Sequence, residues 1–115
     1  MIKKNNDNAS LKDFAKLNIV LGTILEVCQN TKAKKPAYIL KIDFGKKIGI
    51  KSTSAQITNY SMDELIGRQI VGICNFPSKN IAGFVSEVLV LGAMLEEEVH
   101  LLRTDKKLEN GTLIG

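Results

Sequence analysis

"AYILKIDFGKKIGIKSTS", residues Ala37–Ser54, alternates apolar and polar side chains twice, with Gly45 and Lys46 between the two runs. Alternation of this kind puts successive side chains on opposite faces of an extended chain, so "AYILKIDF" and "KIGIKSTS" are predicted strands. Gly45-Lys46 is predicted to join them as a tight hairpin turn, because glycine at the first loop position accepts the backbone such a turn requires. In the first strand Tyr38, Leu40, Ile42 and Phe44 face a core, leaving Lys41 and Asp43 outside. In the second, Ile48 and Ile50 are expected inside, with Lys47, Lys51 and Thr53 outside.

The charge of the chain is concentrated on this hairpin and on the polar loop "NTKAKKP" before it. Seven lysines (32, 34, 35, 41, 46, 47 and 51) face a single acid, Asp43, so the segment carries +6 in a chain of net charge +4. A basic sector on a nearly neutral body suits a polyanionic partner. Lysines also solvate and protect exposed strand edges, and charge alone leaves both readings open.

The remaining sequence supplies further strands and two short helices. Ser10 with Asp13 caps a helix over Ser10–Leu17, whose apolar face is Leu11, Phe14 and Ala15. Leu17, Ile19, Leu21, Thr23, Leu25 and Val27 then share one face of a strand, with Gly22 permitting a bend or bulge. Ser61 and Glu64 form a second capping box, and Gly67 stops that helix after about one turn. Strands follow at "RQIVGICNF", "VSEVLVLGA" and "VHLLR", and "ENGTLIG" closes the chain with a turn at Asn110-Gly111 and a short strand. With 115 residues the chain fits one domain. Residues 1–9 are read as a flexible tail and residues 10–115 as the domain. Its pattern predicts an all-β, five-stranded oligonucleotide-binding (OB-fold) barrel, with short helices at the N-terminus and between strands. Ligands of such barrels use the face around the second and third strands, where the lysines lie.

Catalysis finds little support. Ser86 and Glu87 are adjacent in a strand, so they point to opposite faces and do not converge on one atom. His100 has no serine or cysteine partner, and no nucleotide-cofactor motif occurs, so no enzyme and no cofactor is expected. Cys28 and Cys74 lack CxxC spacing and read as reduced core residues, and one histidine gives a metal site no footing. No export signal and no apolar run of the ~18 residues needed to span a bilayer is visible, which predicts a cytoplasmic protein without membrane insertion. Aromatic residues make up only 5% (Phe14, Tyr38, Phe44, Tyr60, Phe76 and Phe84). That favours reading the backbone and shape of structured RNA over stacking on single strands. Phe76, Ile81 and Phe84 cluster around Pro77 and form a candidate peptide-binding patch, or a cover for a barrel end or dimer interface.

Taken together, "DFGKKIGIKSTSAQIT", "NFPSKNIAGFVSEVLVLGA" and "NGTLIG" resemble the CsaA-type secretion chaperones of the tRNA-binding domain family, over roughly residues 12–115. The resemblance implies a non-catalytic OB-fold homodimer. Its implied partners are folded tRNA, unfolded precursor polypeptides and the SecA translocation ATPase. It maps a basic outer hairpin to Lys41, Lys47 and Lys51, a Lys-Asn segment to Lys79 and Asn80, and a Ser-Glu signature to Ser86 and Glu87. Joined to the loop lysines Lys34 and Lys35, these residues are the predicted RNA contacts, with Ser86 a neutral contact and Glu87 structural. Synthetase-type relatives continue the signature as Ser-Glu-Gly-Met, whereas this chain has Ser86-Glu87-Val88-Leu89, which points to the chaperone branch. Glu96, Glu97 and Glu98 would repel phosphate and are expected on another face. A holdase without an RNA ligand and a free-standing tRNA-binding cofactor of an aminoacyl-tRNA synthetase are the competing readings.

Overall fold

The computed structural model describes residues 7–81 and 83–115. Most of the predicted tail, residues 1–6, lies outside them. Five antiparallel strands form the main sheet: β1 (Ile19–Gln29), β2 (Tyr38–Asp43), β3 (Ile50–Ala55), β4 (Gln69–Ile73) and β7 (Leu89–Val90), in the order β3-β2-β1-β4-β7. The sheet curls into a nearly closed OB-type barrel. Two small hairpins project from it, β5 (Lys79–Ile81) with β6 (Phe84–Ser86), and β8 (Gly92–Leu95) with β9 (Glu98–Leu101).

β1 is long enough to serve two neighbours. Its first half pairs with β4 and its second half with β2. Ile19 to Ile24 are all buried because both faces of this half are covered. Val20 and Ile24 point into the barrel, whereas Ile19 and Leu21 join Val71 and Ile73 in a second cluster outside it. The C-terminal segment covers that outer cluster: Gly111 and Ile114 donate backbone N–H groups to Leu21 and Ile19, Thr112 accepts from Leu21, and Leu113 bridges Val20. The Asn110-Gly111 turn is held by a polar knot in which Thr23 Oγ1 and Gln69 Nε2 donate to Asn110 Oδ1 at 2.7 and 3.0 Å. Gln69, itself buried, also exchanges hydrogen bonds with the Leu108 backbone.

A bulge at Leu25, between the pairs Ile24↔Ile42 and Glu26↔Lys41, reverses the phase of β1. The expected single face from Leu17 to Val27 is therefore broken. Leu25 is exposed, Val27 packs against the interior, and Cys28 is turned to solvent. The reading of Cys28 as a core residue is corrected on this ground. Cys74 is half-buried, and burial raises its thiol above the usual range, against a lowering pull from Lys51.

Phe44 is fully buried and lies across two glycines; a Cβ on Gly22 would stand 2.6 Å from its ring and one on Gly72 3.1 Å. Gly22 therefore admits the aromatic ring against the backbone of β1, while the bulge falls three residues later. The hairpin after Phe44 also departs from expectation. Instead of a two-residue turn, Gly45–Ile48 form a helical turn (α2), closed by Gly49 N–H donating to Gly45 O at 2.7 Å. Gly49 has φ +85°, which glycine adopts at no steric cost. The longer connection resets the phase of β3 by one residue. Thr53 is buried at 3% exposure and Ile50 lies at 59%, the reverse of the predicted faces.

Both predicted capping boxes are present. Ser10 and Asp13 cap α1 (Leu11–Ala15), and Ser61 and Glu64 cap α3 (Met62–Leu65), each with reciprocal side-chain to backbone bonds. α3 inserts Leu65, with no exposed area, into the barrel core. α1 buries none of its residues, and Leu11 is 87% exposed.

Candidate nucleic-acid interface

The site is built around the edge of β3 that β2 does not occupy. Two of its backbone N–H groups need partners there, and the Ser-Glu signature supplies them with side chains. Ser86 Oγ accepts from Ser54 N–H at 2.9 Å, and Glu87 Oε1 accepts from Ser52 N–H at 3.0 Å. Glu87 N–H donates to Ser52 O, and Thr53 Oγ1 donates to Val88 O at 2.7 Å. This seam closes the barrel between β3 and residues 86–88. Ser86 is buried and its oxygen is engaged in closing the barrel at this edge. The seam also fixes the root of the β5–β6 arm, since Ser86 is the last residue of β6.

On that arm Lys79 stands directly opposite Ser86, and Ile81 opposite Phe84. Paired residues share a face, so Lys79 leaves the arm on the side that faces β3. Asn80 Oδ1 is used inside the turn, where it accepts from Gly83 N–H at 3.0 Å. Of the predicted peptide-binding residues, Ile81 and Phe84 are thus brought side by side, and Phe76, 45% exposed, lies in the loop leading to β5.

The loop from Asn30 to Ala37 forms the other wall. Asn30 is buried and organises it: its N–H donates to Ala37 O, its Nδ2 donates to Ser54 Oγ on β3, and its Oδ1 accepts from Lys32 N–H. The loop is thereby pinned to the same edge that receives the arm. Lys32 reaches across, its Cδ 3.6 Å from where a Gly83 side chain would begin. Lys32, Lys34, Lys35 and Lys79 are exposed and form no ion pair among the described residues. Loop and arm, which meet at Lys32 and Gly83, together form a basic region that carries all four.

The other predicted lysines do not join it. Lys41 lies on the outer face of β2 and is paired with Glu26 at 3.4 Å. Lys51 sits opposite Ile42 on the inner face, half-buried, with its Nζ 3.9 Å from Glu87 Oε2. Lys47 belongs to α2, at the far end of the β2–β3 hairpin from the loop, about 20 Å away at ~3.3 Å per strand residue. There it lines an open groove of about 830 Å³ with Lys46, Asn18 and the C-terminal segment. Lys32 is the member that the site prediction omitted; its place in the run "NTKAKKP" was the available signal. The three successive glutamates sit at the turn of the β8–β9 hairpin, where Glu98 pairs with the exposed His100. Among the described residues no group of acidic, histidine or cysteine side chains is placed to hold a metal ion, and no helix is long and apolar enough to cross a membrane.

The barrel as a whole has known counterparts. The tRNA-binding domain family model matches residues 19–113. The chain belongs to the tRNA-binding domain family, on its CsaA-type branch. The crystal structure of the CsaA chaperone protein from Picrophilus torridus is 51% identical and superimposes with a TM-score of 0.89, covering 94% of this chain and all of that one. The chaperone CsaA from Bacillus anthracis is 45% identical with a TM-score of 0.90, over 95% of this chain and all of that one. Methionine–tRNA ligase of Pyrococcus horikoshii is 31% identical over 113 residues, which are 97% of this chain but 15% of the ligase. The tRNA-binding domain is a binding module and not an enzyme, and this chain spans only that small fraction of the ligases it matches.

Proposed function

We propose that the protein binds folded tRNA through Lys32, Lys34, Lys35 and Lys79 and serves as a CsaA-like chaperone in protein export. The observation that carries the RNA reading is the grouping of four unpaired lysines across a rigid loop and arm. Phosphates would be neutralised by these lysines, and little base stacking is available because the aromatic residues are few and half of them, Tyr38, Phe44 and Tyr60, pack in or against the core. The chaperone reading takes its support from the likeness to CsaA proteins and from the exposed apolar side chains of Ile81 and Val85 on the arm and of the preceding Phe76, beside the half-buried Phe84. Unfolded precursor polypeptides and the SecA translocation ATPase are the partners of that reading, in the cytoplasm. A homodimer belongs to it as well, motivated by the uncovered Leu11 and Phe14 of α1 and by Leu113, 70% exposed.

The test is tRNA binding measured across salt concentration for the wild type and for Lys34→Glu/Lys35→Glu/Lys79→Glu. Removing one lysine–phosphate interaction lowers the slope of log affinity against log salt by roughly 1, so the triple variant should bind far more weakly with a flatter slope. An unchanged slope would exclude the loop and arm from the interface. Aggregation suppression that persists in this variant and disappears in Phe84→Ser would assign polypeptide binding to the arm's apolar face.

A further inference from the structure

At the foot of the lysine loop lies a small cup of about 230 Å³, lined by Gln29, Asn30, Thr31, Pro36, Ala37, Tyr38 and Thr58. We propose that it holds one unstacked nucleobase of a bound RNA, an inference that rests on the RNA reading above and gives it a base contact. The cup is smaller than the ~300–1,000 Å³ of pockets that enclose a whole small molecule, so it suits one group of a larger ligand held elsewhere. Its chemistry is mixed in the way a base requires. Pro36, Ala37 and Tyr38 give an apolar wall, and Tyr38 is fixed because its hydroxyl donates to Tyr60 O at 2.9 Å. Gln29, Thr31 and Thr58 make no side-chain hydrogen bond among the described residues, so a carboxamide and two hydroxyls remain free to meet a base edge.

Two further features favour a nucleotide over a neutral occupant. No acidic residue lines the cup, and Lys32, Lys34 and Lys35 rise from the same loop, where they can hold the phosphates flanking a base in the cup. The loop is also fixed before any ligand arrives, since the Asn30 bonds to Ala37, Lys32 and Ser54 set its shape. Base insertion then needs no reorganisation of the wall. An apolar polypeptide side chain would make no use of the lysine rim.

The test compares a folded tRNA, which has unpaired bases, with a blunt RNA duplex matched in phosphate number. Binding of each is measured for the wild type, Gln29→Ala, Thr58→Trp and Lys34→Glu/Lys35→Glu. Gln29 and Thr58 are exposed, so both cup variants should keep the wild-type melting temperature. The expected result is about tenfold weaker tRNA binding in each cup variant, the scale of a single base interaction, with duplex affinity unchanged. The lysine variant should weaken both RNAs. Unchanged tRNA affinity in the cup variants beside a weakened lysine variant would discard the cup and keep the RNA reading. Equal weakening for tRNA and duplex in the cup variants would also discard it, as loop damage. A wild type that binds neither RNA would remove both.

Discussion

Along β3 two adjoining regions treat their polar groups in opposite ways. At the seam with residues 86–88 the side chains are engaged: Ser86 and Glu87 accept from β3 amides, and Thr53 donates to Val88 O. One step outward, on the Asn30–Ala37 loop and the β5–β6 arm, the lysines are exposed and unpaired. The Ser-Glu signature thus completes the barrel edge, and the exposed cations lie on the arm and in a loop whose sequence looks like ordinary polar linker. A hydroxyl or carboxylate whose oxygen completes a strand edge has little left to offer a ligand, while an exposed ammonium has given up nothing.

This contrast can be broken most sharply at Thr53. Thr53→Val keeps the volume but leaves Val88 O buried without its donor, a destabilisation of about 1–3 kcal/mol, visible as a lower denaturation midpoint. Once allowance is made for the folded fraction, tRNA affinity should be unchanged; a specific drop in affinity at full stability would make the seam part of the binding surface. A smaller effect is expected at Lys41, whose pairing with Glu26 is exposed on both sides. Lys41→Ala should alter stability by no more than ~1 kcal/mol and leave the salt slope of RNA binding close to wild type. A slope change as large as that of a loop lysine would return Lys41 to the interface. The smallest effect lies at α3. Glu64, bonded by the Ser61 backbone and hydroxyl, has its carboxyl held below the usual glutamate range. Because the folded value is depressed, its contribution is present above about pH 4.3, the ordinary glutamate value, and is lost as pH falls through the folded value. Glu64→Gln should therefore flatten acid unfolding slightly in that window. An identical acid limb would assign the acid sensitivity to other carboxylates.

Much of the fold was legible because its signals are local. The Ser10/Asp13 and Ser61/Glu64 boxes were read correctly, since a capping bond spans three residues and is encoded in that spacing. Alternation located β2 and its inward set Tyr38, Leu40, Ile42 and Phe44, all buried. Local pattern failed wherever the count of residues between strands mattered. The α2 turn inverted the faces of β3, moving Lys51 inward and Ile50 outward, and the Leu25 bulge did the same to Cys28. With a side-chain period of two, one extra residue reverses every later assignment. The expected basic outer hairpin is divided for the same reason: Lys41 stays on the outer face of β2, Lys51 turns inward and Lys47 lies on α2.

By itself, the sequence determined β1 to β4, the caps, the excess of lysine between Lys32 and Lys51 and the family, because these depend on residue type and short spacing. Only the tertiary structure decided which lysines share the loop and arm and which backbone groups the Ser-Glu pair meets. Those outcomes depend on contacts between residues more than 30 positions apart, such as Ser54 with Ser86 and Ser52 with Glu87. Such contacts are set by how the barrel closes, and no local pattern in the chain records where its two edges will meet.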